Sequence, residues 1–155
     1  MKAFGILNYS AEDVFHIFVK NAKKDFSDFN EDDATGCKIK KNIASGGPTP
    51  VECTVEITSY IKNEKYQITT STDYTKCIST YMFKEQKDGT TKLIFEEEQS
   101  AEKFISYMSL YLQRFMARRN FKVQYKNIVE GINNELKTHF DNIERSKPKD
   151  KVLSE

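Results

Sequence analysis

Val51-Glu-Cys-Thr-Val-Glu-Ile-Thr-Ser-Tyr-Ile61 is the stretch that decides the fold. Its residues Val51, Cys53, Val55, Ile57 and Ile61 alternate with Glu52, Thr54, Glu56, Thr58 and Tyr60. A period of two sends successive side chains to opposite faces, so the segment reads as a strand with one buried and one wetted side. The rhythm continues in both directions. Gly46-Gly47-Pro48 breaks the chain before it, and Asn63-Glu64-Lys65 turns it into a strand with Tyr66, Ile68, Thr70 and Thr72 on one face. Cys77, Ser79, Tyr81 and Phe83 then alternate with Ile78, Thr80 and Met82. Asp88-Gly89 is a hairpin signal, because both residues tolerate the backbone that tight turns need. Beyond it Leu93, Phe95 and Glu97 share one face, with Lys92, Ile94 and Glu96 on the other. Consecutive strands joined by short turns over residues 37–99 make an antiparallel meander, not the parallel sheet of nucleotide-binding folds.

Outside this meander the period changes. Residues 2–8 read as a short first strand. Ser10-Ala-Glu-Asp13 is a capping box in which the Ser10 hydroxyl accepts from the Asp13 amide, and the acids at 12 and 13 suit the positive start of a helix. Val14, Phe15, Phe18, Ala22 and Phe26 recur at three- and four-residue steps and predict a helix over 11–26. The acidic stretch from Phe26 to Gly36 is turn-rich, with room for one helical turn. At the other end, apolar residues run at helical spacing from Phe104 to Ile143. A straight helix over 101–145 would be roughly 68 Å long, whereas a domain of this size is only about 40 Å across. That mismatch predicts a break at Ala117-Arg118-Arg119-Asn120, where the apolar stripe is interrupted. Residues 1–145 then read as one α+β domain and 146–155 as a polar tail.

The bulk composition narrows the function classes. At 155 residues the chain is long enough for one domain with a real core. Its formal net charge of +1 gives no bulk attraction to nucleic acid or to an anionic membrane. No segment approaches the ~18 apolar residues that a membrane span needs, and Met1 to Leu7 is too short an apolar run for a signal peptide. Cys37, Cys53 and Cys77 are an odd number with no CxxC pair, which predicts free thiols in a reducing cytoplasm.

The order of strand, capped helix, antiparallel meander and long C-terminal helix resembles the START-like, pollen-allergen-like helix-grip superfamily (SRPBCC). The residues that carry the resemblance are Asn8-Tyr9-Ser10-Ala11-Glu12-Asp13-Val14-Phe15 at the first strand–helix junction. More narrowly, Leu93-Ile94-Phe95-Glu96-Glu97-Glu98, Phe104 to Lys122 and Ile128 to Ile143 look like an uncharacterised family of small proteins from Gram-positive bacteria. The resemblance implies a curved sheet of about six strands wrapped around the last helix, with a cavity between them. Members of the superfamily use that cavity for lipids, sterols, polyketides or protein partners, so fold alone does not choose a ligand.

The sequence argues against most enzyme classes. It has no GxGxxG, no P-loop and no GxSxG, and Gly46-Gly47-Pro48 precedes no helix that could receive a phosphate. Its two histidines, His16 and His139, read as ordinary helix-side residues, so no metal site, cofactor or catalytic residue is expected. Strict alternation aims Glu97 into the concave face, where a carboxylate is costly unless it is paired or wetted. It either anchors a ligand, as an acid of raised pKa if dry, or meets solvent or an arginine of the C-terminal arm. Tyr66, Thr70, Tyr81 and Phe95 share its face, and Tyr111, Phe115 and Tyr125 face them from the arm; these eight residues are the candidate cavity lining. Arg114, Arg118, Arg119, Lys122 and Lys126 interleave with aromatics, and read as a solvated face balanced by the acidic loop at 25–33. The leading reading is a non-catalytic protein that binds a small hydrophobic or amphipathic ligand between sheet and C-terminal helix. The alternative is a protein-interaction or homodimerisation module built on the aromatic helix 104–121.

Overall fold

A computed structural model describes residues 1–43, 49–73, 75–101 and 107–146, without the side chains of 43, 101, 107–119 and 145–146. The elements follow the order β1 (Lys2–Leu7), α1 (Ala11–Asp25), β2 (Lys38–Ile43), β3 (Val51–Ile61), β4 (Lys65–Ser71), β5 (Thr75–Glu85), β6 (Thr91–Ala101) and α2 (Tyr107–Ser146). A single 3-10 turn at Glu31–Asp33 sits in the acidic stretch between α1 and β2. The strands form one antiparallel, curved six-stranded sheet in the order β1-β6-β5-β4-β3-β2. The meander β2 to β6 is therefore consecutive, and β1 closes the far side by pairing with β6.

Helix α1 begins as its capping box requires. The Ser10 Oγ accepts from the Asp13 amide at 3.1 Å and donates to the Asp13 carboxylate at 2.7 Å. Its buried face, Ala11, Val14, Phe15, Ile17, Val19 and Ala22, packs on the concave side of the sheet. Phe15 meets Phe83 edge to face at 5.1 Å, and Phe18 meets Tyr81 at 4.9 Å. Helix α2 lies against the same side through Phe121, Ile132 and Leu136, each no more than 5% exposed. The core is the layer that both helices share with Leu93, Phe95, Phe83 and Ile57 of the sheet.

Two expectations are corrected. First, α2 is continuous through Ala117-Arg118-Arg119-Asn120, spanning 40 residues without a break, a length of about 60 Å. Alanine and arginine are good helix formers, and neither proline nor glycine interrupts the segment. An interrupted apolar stripe changes what a helix packs against, not whether it continues. The part that packs, from Phe121 to Phe140, is only about 30 Å long and fits the domain. Second, the alternation in β3 does not run to its end. A bulge between Ile57 and Ser59 shifts the register, which moves later side chains to the opposite face. Tyr60 therefore turns inward, against Phe15 at 5.3 Å and Phe29 at 6.0 Å. Ile61 turns outward and is 49% exposed.

Candidate functional site

The concave face is built from alternate residues of four strands. Register places Tyr66 opposite Tyr81 and Ile68 opposite Ser79, then Tyr81 opposite Phe95 and Ser79 opposite Glu97. The middle of this face is filled. Phe95, wholly buried, is stacked between Tyr81 at 4.8 Å and Phe121 at 5.1 Å, with Tyr125 at 6.3 Å. Tyr125 also donates a hydrogen bond to the Leu93 carbonyl at 3.3 Å and crowds Gly5 on the neighbouring strand, which is how α2 is clamped to the sheet.

Beside this filled centre a groove of about 320 Å³ remains open, between α1, the strands β4 and β5, and α2. Ile17, Phe18 and Ala22 line it from α1, Tyr66, Ile68 and Tyr81 from the sheet, and Ile128, Gly131 and Ile132 from α2. Asn21, Asp25, Asn127 and Glu135 form its rim. The two tyrosines are 7% and 8% exposed as whole residues. Their hydroxyls nevertheless have no hydrogen-bond partner among the described residues and are not sealed in. Buried phenols ordinarily find a partner, so these two groove-lining residues keep donors and acceptors that the described residues do not use. Burial and, next, the Asp25 carboxylate push the Tyr66 phenol well above its usual range. Burial and then Glu97 push Tyr81 up to about 12.

Glu97 lies on the concave face, as alternation requires, and is only 6% exposed. One carboxylate oxygen accepts from the Gln99 side-chain amide at 2.7 Å, and no ion pair holds it among the described residues. It stands apart from the lining of the groove, next to Cys77, whose thiol is raised by burial and by Glu97. Thr70 is half-buried on the same face, outside the described lining. Tyr111 and Phe115, like the rest of the aromatic and arginine-bearing helix up to residue 119, have side chains outside the described residues. Of the eight residues expected from the sequence, Tyr66 and Tyr81 line this groove, and its α1 wall was not among them. The helical spacing that gave Phe18 and Ala22 marked them as core, and nothing distinguished core from lining.

His16 and His139 come from opposite ends of the chain to neighbouring helix surfaces, ring centroids 6.4 Å apart, and both are exposed. Among the described residues no group of three or more His, Cys, Asp or Glu is placed to hold a metal ion. No helix among them is long and apolar enough to cross a membrane.

The model of the family described as "Domain of unknown function (DUF3284)" matches residues 1–118. The chain belongs to the DUF3284 family. Among solved structures, this DUF3284 chain is similar to a protein of unknown function, SA2116, from Staphylococcus aureus. The identity is 13%, with 91% of this chain and 96% of that one covered and a TM-score of 0.64. It is also similar to a START superfamily protein from Mycobacterium smegmatis, at 9% identity, 89% and 97% coverage and a TM-score of 0.55. A third similar structure is the pollen-allergen-like Ara h 8.0201, at 10% identity, 89% and 97% coverage and a TM-score of 0.58. At these identities the likeness is one of fold, and the fold shared with the START superfamily protein and Ara h 8.0201 is the helix grip, a curved antiparallel sheet with a long C-terminal helix. No curated protein matches the chain.

Proposed function

We propose that this DUF3284 protein is a non-catalytic binding protein that holds a small hydrophobic or amphipathic molecule in the groove between α1, the sheet and α2. The carrying observation is the pair of otherwise buried tyrosines, Tyr66 and Tyr81, which line the groove and whose hydroxyls have no hydrogen-bond partner among the described residues. An apolar floor with a few convergent polar groups is the usual form of a small-molecule site. The volume of about 320 Å³ lies at the small end of the ~300–1,000 Å³ range of such pockets, which favours a compact ligand over a sterol or diacyl lipid.

Gly131 offers a clean test. It lines the groove, and a Cβ built on it would meet nothing within 4 Å. A phenylalanine there occupies the groove while removing a helical glycine, whose replacement by alanine gains roughly 0.5–1 kcal/mol and by phenylalanine a part of that. Titration with the neutral fluorescent probe N-phenylnaphthylamine should saturate on the wild-type protein and be lost in Gly131→Phe, with the thermal midpoint unchanged or raised. Equal binding to both proteins, or none to the wild type, refutes the proposal.

A further inference from the structure

We infer that the groove's ligand is a small organic cation: an amphiphile ending in an ammonium group, favoured over a carboxylate of the same length. This rests on the binding reading above and concerns the polar end of the ligand. The charged residues of the described lining are Asp25 and Glu135, both acidic, and no lysine or arginine joins them. The other polar lining groups are the carboxamides of Asn21 and Asn127 and the two phenols, all able to accept from an N–H donor. Phe18, Tyr66 and Tyr81 are in mutual ring contact, with centroids 4.9–6.4 Å apart, and form an aromatic floor. Aromatic faces carry negative charge density and attract ammonium groups.

The two phenols stand in the same acidic surroundings: after burial itself, Asp25 raises Tyr66 and Glu97 raises Tyr81. Two lysines partly offset the rim. Lys41 stands 3.4 Å from Asp25 and Lys20 stands 3.3 Å from Glu135, each about half-exposed and outside the described lining. Pairs this exposed are weak, and both lysines stand outside the lining, so the charges nearest anything seated over the aromatic floor are the two carboxylates. A ligand carboxylate placed there meets two like charges and no cation of the described lining.

Calorimetric titration of the full chain at neutral pH with octylamine, 1-octanol and octanoate separates charge from apolar fit. Octylamine should bind at least about tenfold more tightly than octanoate, equivalent to about 1.4 kcal/mol, with 1-octanol between them. In the double variant Asp25→Asn, Glu135→Gln that gap should close. Both side chains are at least 36% exposed, so the substitutions leave the core intact. If octanoate binds as tightly as octylamine, or the gap survives the double substitution, the charge inference is overturned and the groove reading stands. If none of the three binds, both fall.

Discussion

Gly5→Ala tests how α2 is held on the sheet. Gly5 lies on β1 opposite Leu93 of β6, and the Tyr125 hydroxyl reaches over it to the Leu93 carbonyl. A Cβ at position 5 would sit 2.7 Å from that hydroxyl, closer than real contacts allow, against the 3.4 Å at which ordinary van der Waals contact begins. The Tyr125 ring must swing away and loses its hydrogen bond, which is worth about 0.5–1.5 kcal/mol. Its stacking beside Phe95 is disturbed as well, and such overpacking costs about 1–3 kcal/mol. Replacing a glycine returns roughly 0.4–1 kcal/mol through the unfolded state. Gly5→Ala should therefore destabilise the wild-type chain by roughly 0.5–4 kcal/mol. In a Tyr125→Phe background the obstructing oxygen is gone, and the same change should be neutral or stabilising by up to ~1 kcal/mol. Urea denaturation of the four proteins of this double-mutant cycle measures the coupling directly. A Gly5→Ala cost that is the same in both backgrounds, within about 0.5 kcal/mol, refutes the clamp.

Phe95→Ala removes the central ring of the stack and should cost about 3–5 kcal/mol in the same assay, a large share of the stability of a domain this size. Tyr60→Phe should be neutral or stabilising by about 1 kcal/mol, because the Tyr60 hydroxyl is buried without a partner among the described residues and its removal relieves a desolvation cost. High pH should weaken the fold through Tyr81. Its phenol ionises at an ordinary value of 10.0 in the unfolded chain and at about 12 in the folded one. Between these values the unfolded state has lost a proton that the folded state keeps. The stability is complete below about pH 10 and falls by roughly 1.4 kcal/mol per pH unit as the pH rises toward 12. Denaturation midpoints across that window should decline, with a shallower slope in Tyr81→Phe.

The meander and the first helix were legible because each rests on local chemistry. Ser10 and Asp13 make their cap within three residues, and strand alternation aimed Tyr66, Tyr81, Phe95 and Glu97 to the side where they lie. The errors arose where a local pattern meets a tertiary choice. The bulge after Ile57 reverses Tyr60 and Ile61 through a single extra residue, which no composition rule marks. The continuous α2 shows that a disturbed apolar stripe is no helix terminator when alanine and arginine fill it. The groove was half-legible for a related reason. Phe18 and Ala22 carry the periodicity of core residues, and only the placement of α2 leaves their outer sides uncovered.

The central claim is that a compact ligand enters the groove over Tyr66 and Tyr81, and a two-dimensional ¹H–¹⁵N NMR titration with 1-octanol tests it most directly, independently of the charge inference. The account predicts saturable shifts clustered at Ile17, Phe18, Tyr66, Tyr81, Ile128 and Ile132, absent in Gly131→Phe. Shifts that never saturate, or that centre on the exposed Phe4 and Ile6 of the opposite sheet face, would contradict it.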